Sequence, residues 1–535
     1  MSISAQKMPG FSQLVIDYLT DQQKVKNFFA GDFRDWQSYK RVAEKVLKIQ
    51  RPFKADLIKI LTEQNISFGC GPKTLENISG LKEPDTLVVA TGQQVGLFSG
   101  PLYTIYKALT TIKLARELTD RLGVPVLPVF YLVSEDHDLD EVKWCGYIDR
   151  DNQYNTLIYD AQESTNRSPV SDIELDDSIS SLIARFAESV FDTEFKDGLL
   201  TFVRECYKPG EKYHIAFARW FTRLFEKYGI ILFDSADERY KPFVEHIFAK
   251  ELTELVSIKA LQKTNQELTD RGYHTQIAVQ PDRPNVFILK DGRHSLRQQG
   301  EKYINMFSGE SYTIEELLAQ PERLSPKAAL RPLVQDTLFP TVAYVGGPGE
   351  IAYWAQLKRL YEAMHLHMPV VCPRAGFTLI EPKIKRHLEK FALAPEHVIT
   401  DRQGSIDKTL SSYIPADIKD RFTNIQSNLS HDLKLLSEKI INSEPSMKTV
   451  IEKTAAGIEK QIDMMEQKVM KAVEQRDRVV SEQLRTISEN LLPEKNLQER
   501  KVNILPYLIK YGPTLLDRLY EAVDTAVFEH KMMEL

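Results

Sequence analysis

The chain is poor in cysteine. It has four in 535 residues (Cys70, Cys145, Cys206 and Cys372), and no two form a C-x-x-C pair. That excludes a disulfide framework and a thiolate zinc site, so no zinc is expected, and it fits a reducing, cytoplasmic setting. No apolar run approaches the ~20 residues that span a bilayer. The opening MSISAQKMPGFSQLV lacks the basic and apolar regions of a signal peptide. Neither sign of charge dominates: 69 Lys and Arg face 75 Asp and Glu, a formal net charge of −6. That balance gives no electrostatic reason to expect nucleic acid or a membrane as partner. What remains is a soluble globular composition, 42% hydrophobic and 27% charged, long enough for more than one domain.

Hydrophobic patterning divides the chain. Residues 1–80 read as a helical, aromatic arm that packs on the sheet domain. Residues 81–145 hold an apolar run at 87–90, a loop with Gly92, Gly96 and Gly100, an amphipathic segment opened by Pro101, and a second apolar run at 124–133. This is strand, loop, helix and strand. Residues 146–228 form a mixed insertion: strands around a turn at 149–152, a polar loop at 163–171, then helices. Residues 229–384 repeat the first pattern, with a buried strand ending at Asp234, another at 341–345, the glycine loop Gly346-Gly347-Pro348-Gly349, a helix, and a short strand at 369–372. A β-rich insertion is expected near 272–310, with strands at 274–279 and 285–289 and a turn at Asp291-Gly292. Two β-α-β units separated by insertions predict an α/β fold with a doubly wound parallel sheet of about five strands.

Residues 385–500 turn polar and helical. Ile425, Leu429, Leu433, Leu436 and Ile440, then Ile451, Ile458, Ile462, Met465, Val469, Ala472, Val479, Leu484, Ile487 and Leu491, follow a heptad-type stripe in which Arg476 takes one seam position. A single helix over 446–492 is ~70 Å long. Its neighbour, ending near Asn442, is too short to cover it, so a second copy of the chain is the expected partner. Residues 501–535 read as two or so returning helices.

Three places carry candidate chemistry. The 91–100 loop, with Thr91, Gln93, Gln94, Gly96 and Gly100, offers backbone N–H groups to phosphate oxygens at a helix start; the alternative is an ordinary strand–helix turn. It is neither a Walker A loop nor G-x-G-x-x-G. The run Ser134-Glu135-Asp136-His137-Asp138 places carboxylates and an imidazole directly after a buried strand, where open α/β sheets bind ligands. His137 suits general acid/base work and the carboxylates suit an ammonium or Mg²⁺; a solvated loop with a helix cap is the bland reading. Gly346, Gly347, Gly349 and Glu350 form the counterpart of the first loop. No metal site is expected: His365 and His367 have no visible third ligand.

With these residues in view, the sequence resembles the bacillithiol biosynthesis cysteine-adding enzymes, a family of cysteine ligases. The resemblance runs nearly end to end and is sharpest in TGQQVGLFSGPLYTIYKA (91–108), SEDHD (134–138), RPLVQDTLFPTVAYVGGPGEIAYWAQL (331–357) and the late coiled coil. It implies a Rossmann-like sheet with inserted connecting segments and a C-terminal coiled coil. The implied reaction, the last step of bacillithiol synthesis, joins L-cysteine through its carboxyl to the amine of glucosaminyl-malate. A carboxylate needs activation to acylate an amine at neutral pH, which implies ATP, with Mg²⁺ alongside it. The first unit is also similar to a degenerate nucleotide-binding half of class I aminoacyl-tRNA synthetases. Phe98-Ser99-Gly100-Pro101 stands at the H-x-G-H position, and no K-M-S-K-S follows Cys372. Lys107, Lys327, Arg331 and Arg374 are then the basic groups available to phosphates. Glu135, Asp136 and His137 are expected to orient the cysteine ammonium or the glucosamine, with His137 as base and Tyr103, Tyr353 and Trp354 shaping the pocket. The residues leave two alternatives open: a sugar-nucleotide or nucleotidyl transferase, and a non-catalytic coiled-coil scaffold.

Overall fold

The computed structural model describes residues 1–160, 167–413, 415–476 and 478–535. Residues 163–166 of the expected polar loop, and the Arg476 side chain on the expected seam, lie outside the described residues. The chain divides into two units, 1–378 with 498–533 and 379–497 with 534–535.

Apolar runs rich in β-branched residues form the centre of the first unit. β1 (Leu87–Gln93), β2 (Val126–Leu132), β3 (Ile231–Asp234), β4 (Thr341–Gly346) and β5 (Val370–Pro373) make one sheet in the order β5-β4-β1-β2-β3. All neighbours run parallel. Such a sheet is covered on both faces, so its strands lack polar alternation; Val88, Val89, Val129, Ile231, Val342 and Val370 are buried. The chain steps from β1 out to β2 and β3, then returns to β4 on the other side of β1. Loops leaving β1 and β4 therefore diverge and open a crevice at the strands' carboxyl ends. α1 (Leu102–Leu122) packs on β1 and β2 and stops at Gly123, whose φ of +70° suits glycine. The short helix α2 (Pro348–Trp354) follows β4.

The helical arm closes the sheet's edges. β3 is an edge strand, and its outward backbone groups need partners. Buried Asn65, on the helix Lys54–Ser67, donates to Leu232 O at 2.8 Å and accepts from Leu232 N at 3.0 Å. Gln64 does the same for Asp234, accepting from its N–H at 3.1 Å and donating to its carbonyl at 3.3 Å. At the opposite edge, Tyr18 donates its hydroxyl to Val371 O.

The β-rich insertion is one antiparallel sheet of Val286–Leu289, Arg293–Gln299, Lys302–Asn305, Ser311–Tyr312 and Leu324–Pro326. It reaches beyond the expected 310. The strand expected at 274–279 does not form, because side chains take the backbone groups a ladder needs. Gln356 Oε1 accepts from Gln276 N and Ile277 N, and the Ile277 carbonyl accepts from Asn265 and Gln356 amides. The C-terminus adds an unexpected strand, residues 529–531 pairing antiparallel with Ser2–Ser4.

In the second unit, α3 (Ala416–Ser443) and α4 (Lys448–Arg476) form an antiparallel hairpin, with Gln426 donating to Asp463 at 3.1 Å and Glu466 at 3.0 Å; α5 (Arg478–Leu491) comes next. The single helix expected over 446–492 crosses residue 477, which lies outside the described residues; its neighbour α3 has 28 residues against the 29 of α4. The helix starts in the polar stretch after Pro415, ahead of the periodic apolar residues. The stripe also divides between two faces. Leu429, Leu433, Ile440, Ile451, Ile462 and Val469 are half-buried, whereas Ile425, Leu436, Ile458, Met464, Met465 and Val479 remain exposed. No helix among the described residues is long and apolar enough to cross a membrane.

Candidate active site

The crevice between β1 and β4 holds a cavity of about 320 Å³. A roomier hollow of about 980 Å³, walled by Phe195, Leu199, Phe202 and Trp220, lies away from both glycine loops and the acidic run. The smaller cavity is the candidate because it lies at the sheet's switch point, and its walls concentrate charge.

Lys107, on α1, reaches back under the β1 loop. Its ammonium donates to Gly92 O and Gln93 Oε1, each at 2.8 Å, and pairs with Glu350 at 2.5 Å while 4% exposed. Glu350 caps α2 by accepting from Gly347 N at 2.8 Å, and also accepts from the Tyr344 hydroxyl at 2.5 Å. Burial works to raise the Glu350 carboxyl, but Lys107, Tyr344 and the Gly347 N–H outweigh it and hold it below the usual glutamate value. In the second glycine loop neither Gly347 nor Gly349 has a positive φ, and only the first is crowded. A Cβ on Gly347 would stand 3.2 Å from Arg374 Nε, and one on Gly349 would meet nothing within 4 Å.

Four cations line the cavity: Lys107, Arg331, Arg374 and Arg500. Arg374 is buried and held by Glu499 through bonds of 2.6 and 3.0 Å. Arg331 differs. Its neighbours are the tyrosines Tyr353, Tyr344 and Tyr131, and among the described residues it pairs with no carboxylate. A guanidinium in a partly dry wall with no anion of its own can receive one.

The acidic run splits as it leaves β2. Glu135 is buried and turned away from the cavity, pairing with fully buried Lys241 and accepting from the Ser325 hydroxyl at 2.8 Å. Asp136 lines the cavity, where Gln94 donates to it at 2.9 Å and Arg293 at 3.1 Å. Burial raises its carboxyl, and Arg293, Gln94 and the His137 N–H more than reverse that, leaving it below the ordinary aspartate value. His137 stands behind it, with Nδ1 3.6 Å from Asp136 Oδ1 and Nε2 2.5 Å from Arg167. Burial, then Arg167 and Arg293, hold its imidazole below the usual histidine value and so neutral near pH 7.

The structure brings together at this cavity Gln93, Gln94, Tyr103, Lys107, Asp136, Arg331, Gly347, Gly349, Glu350, Tyr353 and Arg374. Thr91 instead ties β1 to β4 by donating to Val345 O at 2.7 Å. Gly96 and Gly100 pack backbone to backbone: a Cβ on Gly96 would lie 2.7 Å from Gly100 Cα. Several of the donors expected to hold phosphate there are already used. Gly100 N bonds Leu97 O at 2.9 Å, Phe98 N the Tyr207 hydroxyl at 3.1 Å, and Leu102 N Val502 O at 2.8 Å. Gly346 and Trp354 lie behind the wall, the indole fully buried against Tyr344. Lys327 sits over the Phe287 ring, where burial pushes its ammonium down to about 8.

Comparison with known proteins decides the family. The bacillithiol biosynthesis BshC N-terminal Rossmann-like domain matches residues 1–375, and the BshC C-terminal coiled-coil domain matches residues 377–535. The chain belongs to the BshC family. A relative from Salinibacter ruber, named "Putative cysteine ligase BshC", is 34% identical over 98% of this chain and 96% of its own. Relatives of the same name from Symbiobacterium thermophilum and Bacillus cereus are 33% and 29% identical, covering 97% and 98% of each chain.

Sequence reasoning missed Arg500, which lines this BshC-family cavity, and Glu499, Arg293 and Arg167, which hold Arg374, Asp136 and His137. Glu499-Arg500-Lys501 reads as a charged run closing the coil, and nothing local shows that it returns to β1. Arg293 lies in the β-rich insertion, 157 residues from the Asp136 it holds. Among the described residues, no group of three or more His, Cys, Asp or Glu is placed to hold a metal ion.

Proposed function

We propose that this chain is an amide-forming ligase that joins L-cysteine, through its carboxyl, to the amine of glucosaminyl-malate as the final step of bacillithiol biosynthesis. ATP is the co-substrate and Mg²⁺ its companion. What supports the reading, beside family membership, is one observation. Arg331, paired with no carboxylate among the described residues, lines with Asp136 a small cavity at the switch point of a parallel sheet. A cationic wall that also holds a carboxylate suits a reaction between an anionic activated acid and an amine.

ATP supplies the activation of the cysteine carboxyl. The chain's own residues bind and orient. Arg331 and Arg500 take anionic oxygens, Lys107 and Glu350 fix the two loops, and Asp136 receives the amine. His137, held neutral beside Asp136, accepts the proton the amine loses; Arg167 donates to Nε2, so it must leave that nitrogen for Nε2 to take the proton. We read the core as class I aminoacyl-tRNA-synthetase-like, with the Phe98–Pro101 corner packed as structure and the phosphate work moved to the second loop. We also propose a homodimer through the exposed apolar face of α3 and α4.

The test is incubation of the purified full chain with L-cysteine, glucosaminyl-malate, ATP and Mg²⁺, followed by mass spectrometry. An amide product with stoichiometric AMP or ADP is expected. Transfer of a sugar or nucleotide without amide would sink the ligase reading.

A further inference from the structure

A second polar hollow, about 450 Å³, opens on the other flank of the first unit, at the carboxyl end of β3. Its walls are the helix Lys54–Ser67, the end of β3, and the start of the helix Tyr213–Phe225. At its base lies a carboxylate–imidazole pair. His214 Nε2 is 3.3 Å from Asp234 Oδ2, and both side chains are more than nine-tenths buried. The other Asp234 oxygen accepts from the Ser134 hydroxyl and from Ala236 N at 3.0 Å. Burial works against the charge on Asp234, but His214, Ser134 and Ala236 outweigh it and hold the carboxyl below the ordinary aspartate value; in the neutral ring the contact with Oδ2 makes Nε2 the proton-bearing nitrogen. That leaves His214 Nδ1, buried and without a partner among the described residues, as an unused acceptor. A buried ring nitrogen with no partner is rare unless something else supplies one.

The rim adds two opposite charges. Segments 171–175 and 211–213 run side by side, Leu175 N donating to Glu211 O and Tyr213 N to Ile173 O, each at 2.9 Å. This brings Asp172 and Lys212 to one edge of the hollow, both exposed, and neither side chain is paired among the described residues. The remaining rim cation, Arg239, is consumed by Asp237 and Glu63.

We propose that this hollow is a site for a free amino acid with a thiol or hydroxyl side chain. Its ammonium meets Asp172, its carboxylate meets Lys212, and its side-chain proton is donated to His214 Nδ1. The zwitterion follows from the paired rim charges, and the donor side chain follows from the imidazole acceptor. The choice of L-cysteine among such amino acids rests on the ligase reading above.

Calorimetric titration of the full chain with L-cysteine, L-serine and L-alanine tests the site. Cysteine and serine are expected to bind at least tenfold more tightly than alanine. His214→Gln keeps a donor toward Asp234 but removes the acceptor, and should erase that preference. Lys212→Ala, at an exposed position that leaves folding intact, should weaken all three at least threefold. Failure of the wild-type chain to bind any of them, or binding indifferent to both substitutions, overturns the site. If amide still forms while cysteine affinity ignores both substitutions, the inference falls and the ligase reading stands. If the substitutions abolish amino-acid binding yet wild-type chain makes no amide, the site stands and the ligase reading falls.

Discussion

Arg331 and His137 carry the sharpest expectations at the scale of single residues. A hydrogen-bonded ion contact in a partly dry wall contributes about 1.5–3 kcal/mol, so Arg331→Ala should weaken ATP binding by roughly 10- to 100-fold, read by calorimetry; unchanged affinity would remove Arg331 from the phosphate site. His137 acts as a base only when neutral. Its folded-state pKa lies below the ordinary 6.5, so the ligation rate should hold as pH falls to 6.5 and then drop as the imidazole protonates. Arg167 is part of the cause of that depression, so Arg167→Ala should move the acid limb of the pH–rate profile upward. A limb that stays in place would show that His137 is not the titrating group. His137→Gln should cost about 10²- to 10⁴-fold in rate at neutral pH, and full activity in that variant would end its assignment as base.

Elements show a different dependence, because the edges of the sheet are closed by side chains of the arm. Asn65→Leu leaves the Leu232 N–H and C=O buried without partners. At about 1–3 kcal/mol for each unsatisfied group, the loss of stability should be at least ~2 kcal/mol in chemical denaturation; a neutral effect would mean water reaches β3. Gly96→Ala forces a Cβ to 2.7 Å from Gly100 Cα, and backbone there cannot move aside as a long side chain can. Overpacking of this kind costs about 1–3 kcal/mol, so the variant should melt lower while binding ATP normally when folded. Loss of ATP affinity at unchanged stability would return the first glycine loop to the binding site.

For the whole molecule, the hairpin of α3 and α4 leaves an apolar face exposed of a kind that chains in water seldom keep bare. Ile458→Glu combined with Met465→Glu should convert a dimer to a monomer in light-scattering chromatography. If the mass does not change, the dimer uses another face or does not form. Much of this architecture is legible in the chain. Buried parallel strands have no polar alternation, so β1 through β5 appear as short apolar runs, and the glycine loops and acidic run mark their carboxyl ends. The strand expected at 274–279 was not legible, since only the fold brings Gln356 and Asn265 to its backbone. Nor was the two-faced stripe on the hairpin, because a heptad pattern does not say which apolar residues meet the neighbouring helix.

Local chemistry thus determined the parallel core, the long polar helices, the lack of a membrane-spanning helix among the described residues, and the family, whose strings of residues are contiguous. Only the tertiary structure decided which of those residues meet. The turn that follows β2 sends Glu135 inward onto Lys241 and leaves Asp136 in the cavity. Packing against Tyr207 and Val502 occupies the Phe98 and Leu102 N–H groups, whereas the return of the chain at 498–505 delivers Glu499 and Arg500 to β1 from some 400 residues away. Periodicity reports the burial of each residue relative to its neighbours in sequence. The charges that face one another across a cavity are set by the path of the chain, and no short-range pattern records it.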